Sequence, residues 1–240
     1  MSNTSNFRQA MQEVRGEALV GPNVIAKALP YVGGGLILTA VGTYGGLGMI
    51  GSPLFMPLFI GAIIAELVLF FIARNVAEQG NNSTALPLLV IYSLLSGYTL
   101  SGIIFIALRS EGVGLHGIGI AALGCGVTFI AARNIGSNLS DRDGMALTQT
   151  ISLGVMALLV VLVGQLLFAL FGHYTPNWLE IPISGIGVFL FAGAAVVDFY
   201  ILPRTYRDSQ YLAAALSMYL TYINLFIFIL RLLIALNRRN

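Results

Sequence analysis

YLAAALSMYLTYINLFIFILRLLIAL, Tyr211 to Leu236, runs from end to end with a single charged side chain, Arg231. A helix needs about 20 mostly apolar residues to cross the hydrocarbon core of a bilayer, and this run is long enough. Working outward from it, six more stretches have the same character: Leu29–Met49, Leu54–Ala73, Leu86–Leu108, Gly112–Ala132, Met145–Phe171 and Ile181–Leu202. Of the 22 charged residues in the chain, only Glu66, Asp198 and Arg231 fall within the seven spans. The expected fold is therefore all-α, a polytopic membrane protein of seven transmembrane helices. A β-barrel would show alternating segments of ~10 residues rather than long continuous apolar runs.

Composition agrees. Hydrophobic residues make up 57% of the 240 residues and charged residues 9%. A soluble chain carries roughly a quarter charged residues, and a disordered one needs low hydrophobicity. A net charge of +2 excludes the concentrated basic face of a nucleic-acid binder. The expected surroundings are the lipid bilayer and, where the chain has a protein partner, another membrane protein. Cys125 is the one cysteine, so it cannot close an internal disulfide and reads as a small buried hydrophobe.

Residues 1–28 form a polar arm of mixed charge, with a weak helical hint over Phe7–Val20, and residues 29–240 form the transmembrane domain. The arm lacks the basic start and short apolar core of a cleavable signal. Lys and Arg favour the cytoplasmic side of short connections. Arg8, Arg15, Lys27, Arg74, Arg133, Arg142, Arg204 and Arg207 share the side of the amino terminus, against Arg109, Arg238 and Arg239 on the other. The amino terminus is expected in the cytoplasm and the carboxyl terminus opposite; the Arg238–Arg239 pair leaves open a last span that re-enters without crossing. The polar stretch Arg133–Gly144 reads as the longest surface loop. Gly42 and Gly46, four apart, read as a seam for close helix packing.

An ionisable group inside the hydrocarbon is costly and marks a candidate site. Asp198, in FLFAGAAVVDFYIL, is the first. Glu66, mid-span in IGAIIAELVLFF, must stay protonated, pair with a base or face a water-filled cavity. Ser217, Thr221, Asn224 and Arg231 share one face of the seventh span. Helix-to-helix adhesion accounts for Ser217 and Asn224, and Arg231 either serves a site or snorkels to the interface. Arg74, Arg204 or Arg207 could pair with Asp198, or all three could serve as positive-inside anchors. His116 and His173 stand apart from carboxylates and cysteines and make no metal site. No nucleophile–base pair is visible, so the chain does not read as an enzyme.

The run AALSMYLTYINLFIFILRLL, Ala214–Leu233, with Asp198 upstream, resembles the Bax-inhibitor family of seven-span membrane proteins. LLSGYTLSGI, Leu94–Ile103, and VTFIAARNIGSNLSDRD, Val127–Asp143, add to the likeness. The resemblance implies a bundle with the seventh helix at its centre. It also implies a pH-sensitive calcium leak with no resident cofactor, calcium being the transported ion. In that mechanism two aspartates on the last two helices share a proton and interact with an arginine at the end of the second helix. Carried onto this chain, the resemblance assigns the sixth-helix aspartate to Asp198, the arginine to Arg74 and a second-helix glutamate to Glu66. Asp198 is then also the one candidate to touch a metal ion, oxygen being the ligand calcium prefers.

The chain departs from the pattern where the seventh-helix aspartate should stand, three residues before Asn224: that residue is Thr221. A threonine hydroxyl can hydrogen-bond Asp198 but cannot share a titrating proton with it. The two-carboxylate gate is therefore expected to be lost or weakened. The ion-pathway residues expected from sequence are Asp198, Glu66, Arg74, Thr221 and Asn224. A second reading, a membrane interaction protein that binds or modulates a membrane protease or assembly complex, needs no such gate.

Overall fold

The computed structural model of the chain describes residues 19–173 and 175–238. Among them are seven long helices and no strand: α1 Val24–Met49, α2 Phe55–Glu78, α3 Asn82–Arg109, α4 Gly114–Gly136, α5 Asp141–Leu170, α6 Asn177–Thr205 and α7 Tyr211–Asn237. Each is long and apolar enough to cross a membrane. A short 3₁₀ turn, Asp208–Gln210, joins α6 to α7.

The helices run past most of the apolar limits because lipid length sets the apolar run, whereas backbone hydrogen bonding continues to the next cap. α1 starts at Val24, so the last residues of the polar arm are helical; most of the Phe7–Val20 hint lies outside the described residues. The expected long loop Arg133–Gly144 is corrected to the four residues 137–140. Its polar sequence is a helix end followed by a helix start. Ser140 Oγ accepts from the Asp143 amide at 3.2 Å and donates to Asp143 Oδ2 at 2.7 Å. Asp141 and Asp143 sit in the first turn of α5, where the helix dipole favours anions.

The seventh helix is central, as the resemblance implied. It packs against α1, α2, α3, α4 and α6, and Leu212, Met218, Tyr219, Leu225, Phe228 and Leu230 on it are fully buried. α2 and α5 lie outermost and turn most of their apolar side chains to the lipid. Phe191 of α6 stacks on Phe228 with ring centroids 5.5 Å apart, and Phe129 of α4 meets Phe199 edge-on at 6.2 Å.

The closest helix pair is α1 with α3. Gly42 faces the backbone of Leu94, and Gly97 faces the backbone of Thr39, so a β-carbon at either position would collide with main chain. That closeness lets Thr39 Oγ1 donate across the seam to the Ser93 carbonyl at 3.2 Å and Thr43 Oγ1 to the Gly97 carbonyl at 3.0 Å. Small residues at a membrane helix contact gain dispersion and hydrogen bonding together, which is what drives association in lipid. The Gly42–Gly46 seam read from the sequence is this contact.

Candidate functional site

The two intramembrane carboxylates sit apart, Asp198 toward the Thr205 end of α6 and Glu66 midway along α2. Asp198 lies seven residues from the end of α6 and is 6% exposed. α7 supplies its partners. Thr221 Oγ1 donates to Asp198 Oδ2 at 2.6 Å, and Ser217 Oγ donates to Asp198 Oδ1 at 2.9 Å. The two hydroxyls stand four residues apart on one helical face, so each meets one carboxylate oxygen. Thr221 thus occupies the place of the missing second aspartate and reaches Asp198 as a donor. Ser217, read from sequence as simple adhesion, is the second donor to the same carboxylate.

No salt bridge reaches Asp198 among the described residues, so of the two readings left open for Arg74, Arg204 and Arg207 the pairing with Asp198, which the resemblance implied for Arg74, is not the one seen. Arg74 turns along its own helix to Glu78, Nε to Oε1 at 2.8 Å. An i,i+4 carboxylate on an exposed face is nearer than an aspartate behind another helix. Arg204 is held at the start of α5, 3.3 Å from Asp141, over the ring of Tyr200 at 4.1 Å.

Below Asp198 the connector between α6 and α7 is tied on three sides. Asp208 accepts from the Asn23 amide at 2.9 Å and sits 3.5 Å from Lys27 Nζ at the start of α1. Asn82 Nδ2, at the start of α3, donates to the Ser209 carbonyl at 2.8 Å. The Tyr206 hydroxyl donates to Glu78 Oε1 at 2.9 Å at the end of α2. Burial, with the carboxylate of Glu78 beside it, pushes the Tyr206 phenol up to about 12.

The other half of the bundle is open. A cavity of about 890 Å³ enters between the start of α2, the start of α6 and the end of α7, and reaches Glu66, Ser96, Thr99 and Asn224 near mid-depth. Glu66 is therefore the carboxylate that faces a cavity, one of its three expected fates. Thr99 Oγ1 donates to Glu66 Oε2 at 2.8 Å. Asn224 lines the same space, its amide donating to the Leu220 carbonyl at 2.9 Å.

Asp198 and Thr221 do not line the cavity. Tyr219, buried on the face of α7 turned away from Asp198, hydrogen-bonds Thr39 of α1 instead. Tyr219 was not singled out from sequence, since an aromatic on a central helix carries no pattern distinguishing a hydrogen-bonded phenol from plain core. The polar stripe of α7 therefore divides: Ser217 and Thr221 serve Asp198, whereas Asn224 and Arg231 face the cavity.

Among the described residues no group of three or more His, Cys, Asp or Glu side chains converges as a metal site. Cys125 is fully buried.

Comparison with known proteins matches the chain to a family. The family model described as "Inhibitor of apoptosis-promoting Bax1" matches residues 21–239. An uncharacterised membrane protein of Streptococcus pyogenes serotype M1 is 34% identical over 182 residues, 73% of either chain. An uncharacterised protein of Deinococcus radiodurans is 28% identical over 221 residues, 87% of this chain and 88% of its own. The uncharacterised protein YrjE of Lactococcus lactis is 27% identical over 189 residues. A seven-helix bundle around a polar seventh helix, matched over nearly its whole described length, belongs to the Bax inhibitor family of multi-pass membrane proteins.

Proposed function

We propose that the chain is a cation leak pathway across its membrane, with Glu66 drawing cations into the cavity and Asp198 holding the passage shut beyond it. One observation carries the reading: the cavity reaches one intramembrane carboxylate, Glu66, near mid-depth, and the second, Asp198, lies buried outside its lining and hydrogen-bonded to α7. A carboxylate in a low-dielectric wall concentrates cations at the cavity's blind end. Passage then requires the Asp198 hydrogen bonds to α7 to break and the last two helices to part. Calcium, a hard cation that takes oxygen ligands, fits a path of carboxylate, hydroxyl and amide oxygens. No catalytic chemistry and no resident cofactor enter this reading. By the distribution of Lys and Arg, Asp198 lies toward the cytoplasm and the cavity opens on the far side.

With Thr221 in place of a carboxylate, Asp198 titrates as a single site, so gating depends on one proton and not on a coupled pair. Calcium entry into dye-loaded liposomes from pH 6 to 8, with Asp198→Asn beside wild type, tests the proposal. Entry that depends on Asp198, with a one-proton slope, is the expected result. No entry at any pH in folded protein would discard the leak and make capture of a membrane-protein partner the next experiment.

A further inference from the structure

Arg231 sits where an unbalanced charge would matter most. Its Nε donates to Glu180 Oε1 at 2.7 Å and a terminal guanidinium nitrogen donates to Gln165 Oε1 at 3.1 Å. Gln165 Nε2 closes the ring on Glu180 Oε2 at 3.4 Å. Three helices, α5, α6 and α7, meet in this ring. The side chains of Arg231 and Glu180 are each 21% exposed, too buried for a snorkelling arginine. Glu180 lies in the first turn of α6, where the helix N-terminus adds to the stability of its charge.

Arg231 and Glu180 both line the cavity. Arg231 stands seven residues along α7 from Asn224, about 10 Å nearer the open end. Any ion moving toward Glu66 passes this pair. Four formal charges face the space: Glu66 at mid-depth, Glu180 and Arg231 nearer the mouth, and Arg238 at the rim. An arginine there would repel a cation strongly, because partly desolvated charges act at reduced dielectric. Glu180 cancels it, and Gln165 with Glu180 fixes the planar fork in one orientation.

We infer that the Arg231–Glu180–Gln165 ring is the charge filter of the cavity, setting which sign of ion reaches Glu66; the inference rests on the cation-pathway reading above. Removing Glu180 leaves a positive mouth. Removing Arg231 leaves Glu180 as a second carboxylate on the path and favours cations further.

The test measures ion access apart from ion flux. A reporter thiol, Asn224→Cys in a Cys125→Ala background, is labelled in the purified full chain by two methanethiosulfonates, one carrying a trimethylammonium and one a sulfonate. The ratio of their rates cancels any change in the reactivity of the thiol itself. Arg231→Gln should raise the cation-to-anion ratio about tenfold, Glu180→Gln should lower it about tenfold, and the double variant should return near the parent. Arg231→Lys, which keeps the charge, should leave the ratio near the parent value. Ratios that stay fixed, or that move the same way in both single variants, in protein eluting as a folded species, would overturn the filter.

Calcium entry is measured in parallel without the reporter. Shifting ratios with no calcium entry in wild type would keep the filter and remove the leak. Calcium entry with fixed ratios would keep the leak and remove the filter.

Discussion

Asp198 and Glu66 are both acids within the span of a membrane, and the bundle accommodates them in opposite ways. Asp198 is buried and held by one hydroxyl on each oxygen. Glu66 has one hydroxyl partner and a cavity beside it. An acid inside hydrocarbon needs either hydrogen-bond donors from protein or contact with water. Here the two solutions share α7: Ser217 and Thr221 serve Asp198, whereas Asn224 lines the cavity that Glu66 faces. On the proposed reading, the half built on protein donors is the one that locks and the half built on a cavity is the one that ions enter.

The sharpest way to break this contrast is to ask which half is wet. With Cys125 replaced, a cysteine at Thr99 should react with a small water-soluble thiol reagent about a hundredfold faster than one at Thr221, because Thr221 must wait for local opening. Equal rates would erase the distinction.

A smaller effect is expected from giving the closed half the second carboxylate that the family resemblance implied. Thr221→Asp places a second carboxylate against Asp198, so two groups share protons and titrate as a pair. The pH dependence of calcium entry should steepen from one proton toward two. An unchanged slope would mean that Asp198 is not the gate.

Stability should divide along the same line. Thr221→Val leaves a buried carboxylate oxygen without its donor and should cost about 1–3 kcal/mol. Thr99→Val should cost about 1 kcal/mol or less, since the cavity lets Glu66 meet water instead. Thermal unfolding in detergent distinguishes the two, and equal losses would contradict a wet Glu66.

The smallest effect concerns the floor beneath Asp198. The Tyr206 phenol is held up at about 12 from an ordinary value of 10.0. The unfolded chain therefore ionises first as pH rises. Its contribution to stability is whole below pH 10 and declines as pH climbs from 10 toward 12. Tyr206→Phe should flatten that part of the alkaline stability profile, and at neutral pH should cost only the hydrogen bond to Glu78, about 1 kcal/mol or less.

Much of this was legible in the sequence because bilayer thickness is a strict ruler. Seven long apolar runs admit few other folds, and α7 was placed within one residue at each end. The acids stood out because charge in hydrocarbon is rare. What sequence could not supply was the partner of each charge. Arg74 was assigned to Asp198 by resemblance, but Glu78, one helical turn away on the same face, captures it. Glu180 lay one residue outside its expected span and Gln165 carried no charge, so neither signalled that Arg231 was held in a ring. Partner choice depends on helix rotation and crossing, which hydropathy does not record. The long loop at Arg133–Gly144 failed for a related reason: polar residues that cap a helix look, in one dimension, like residues that leave it.

The α1–α3 seam has a consequence for biogenesis. Gly42 and Gly97 bring together two helices that are not neighbours along the chain, while the intervening α2 packs mainly against α3. During synthesis α1 must therefore remain in the lipid without its principal mate until the third span has been released from the insertion machinery. The pairing of α1 is thus timed by elongation, and a chain arrested after its second span carries a glycine face that nothing of its own can cover.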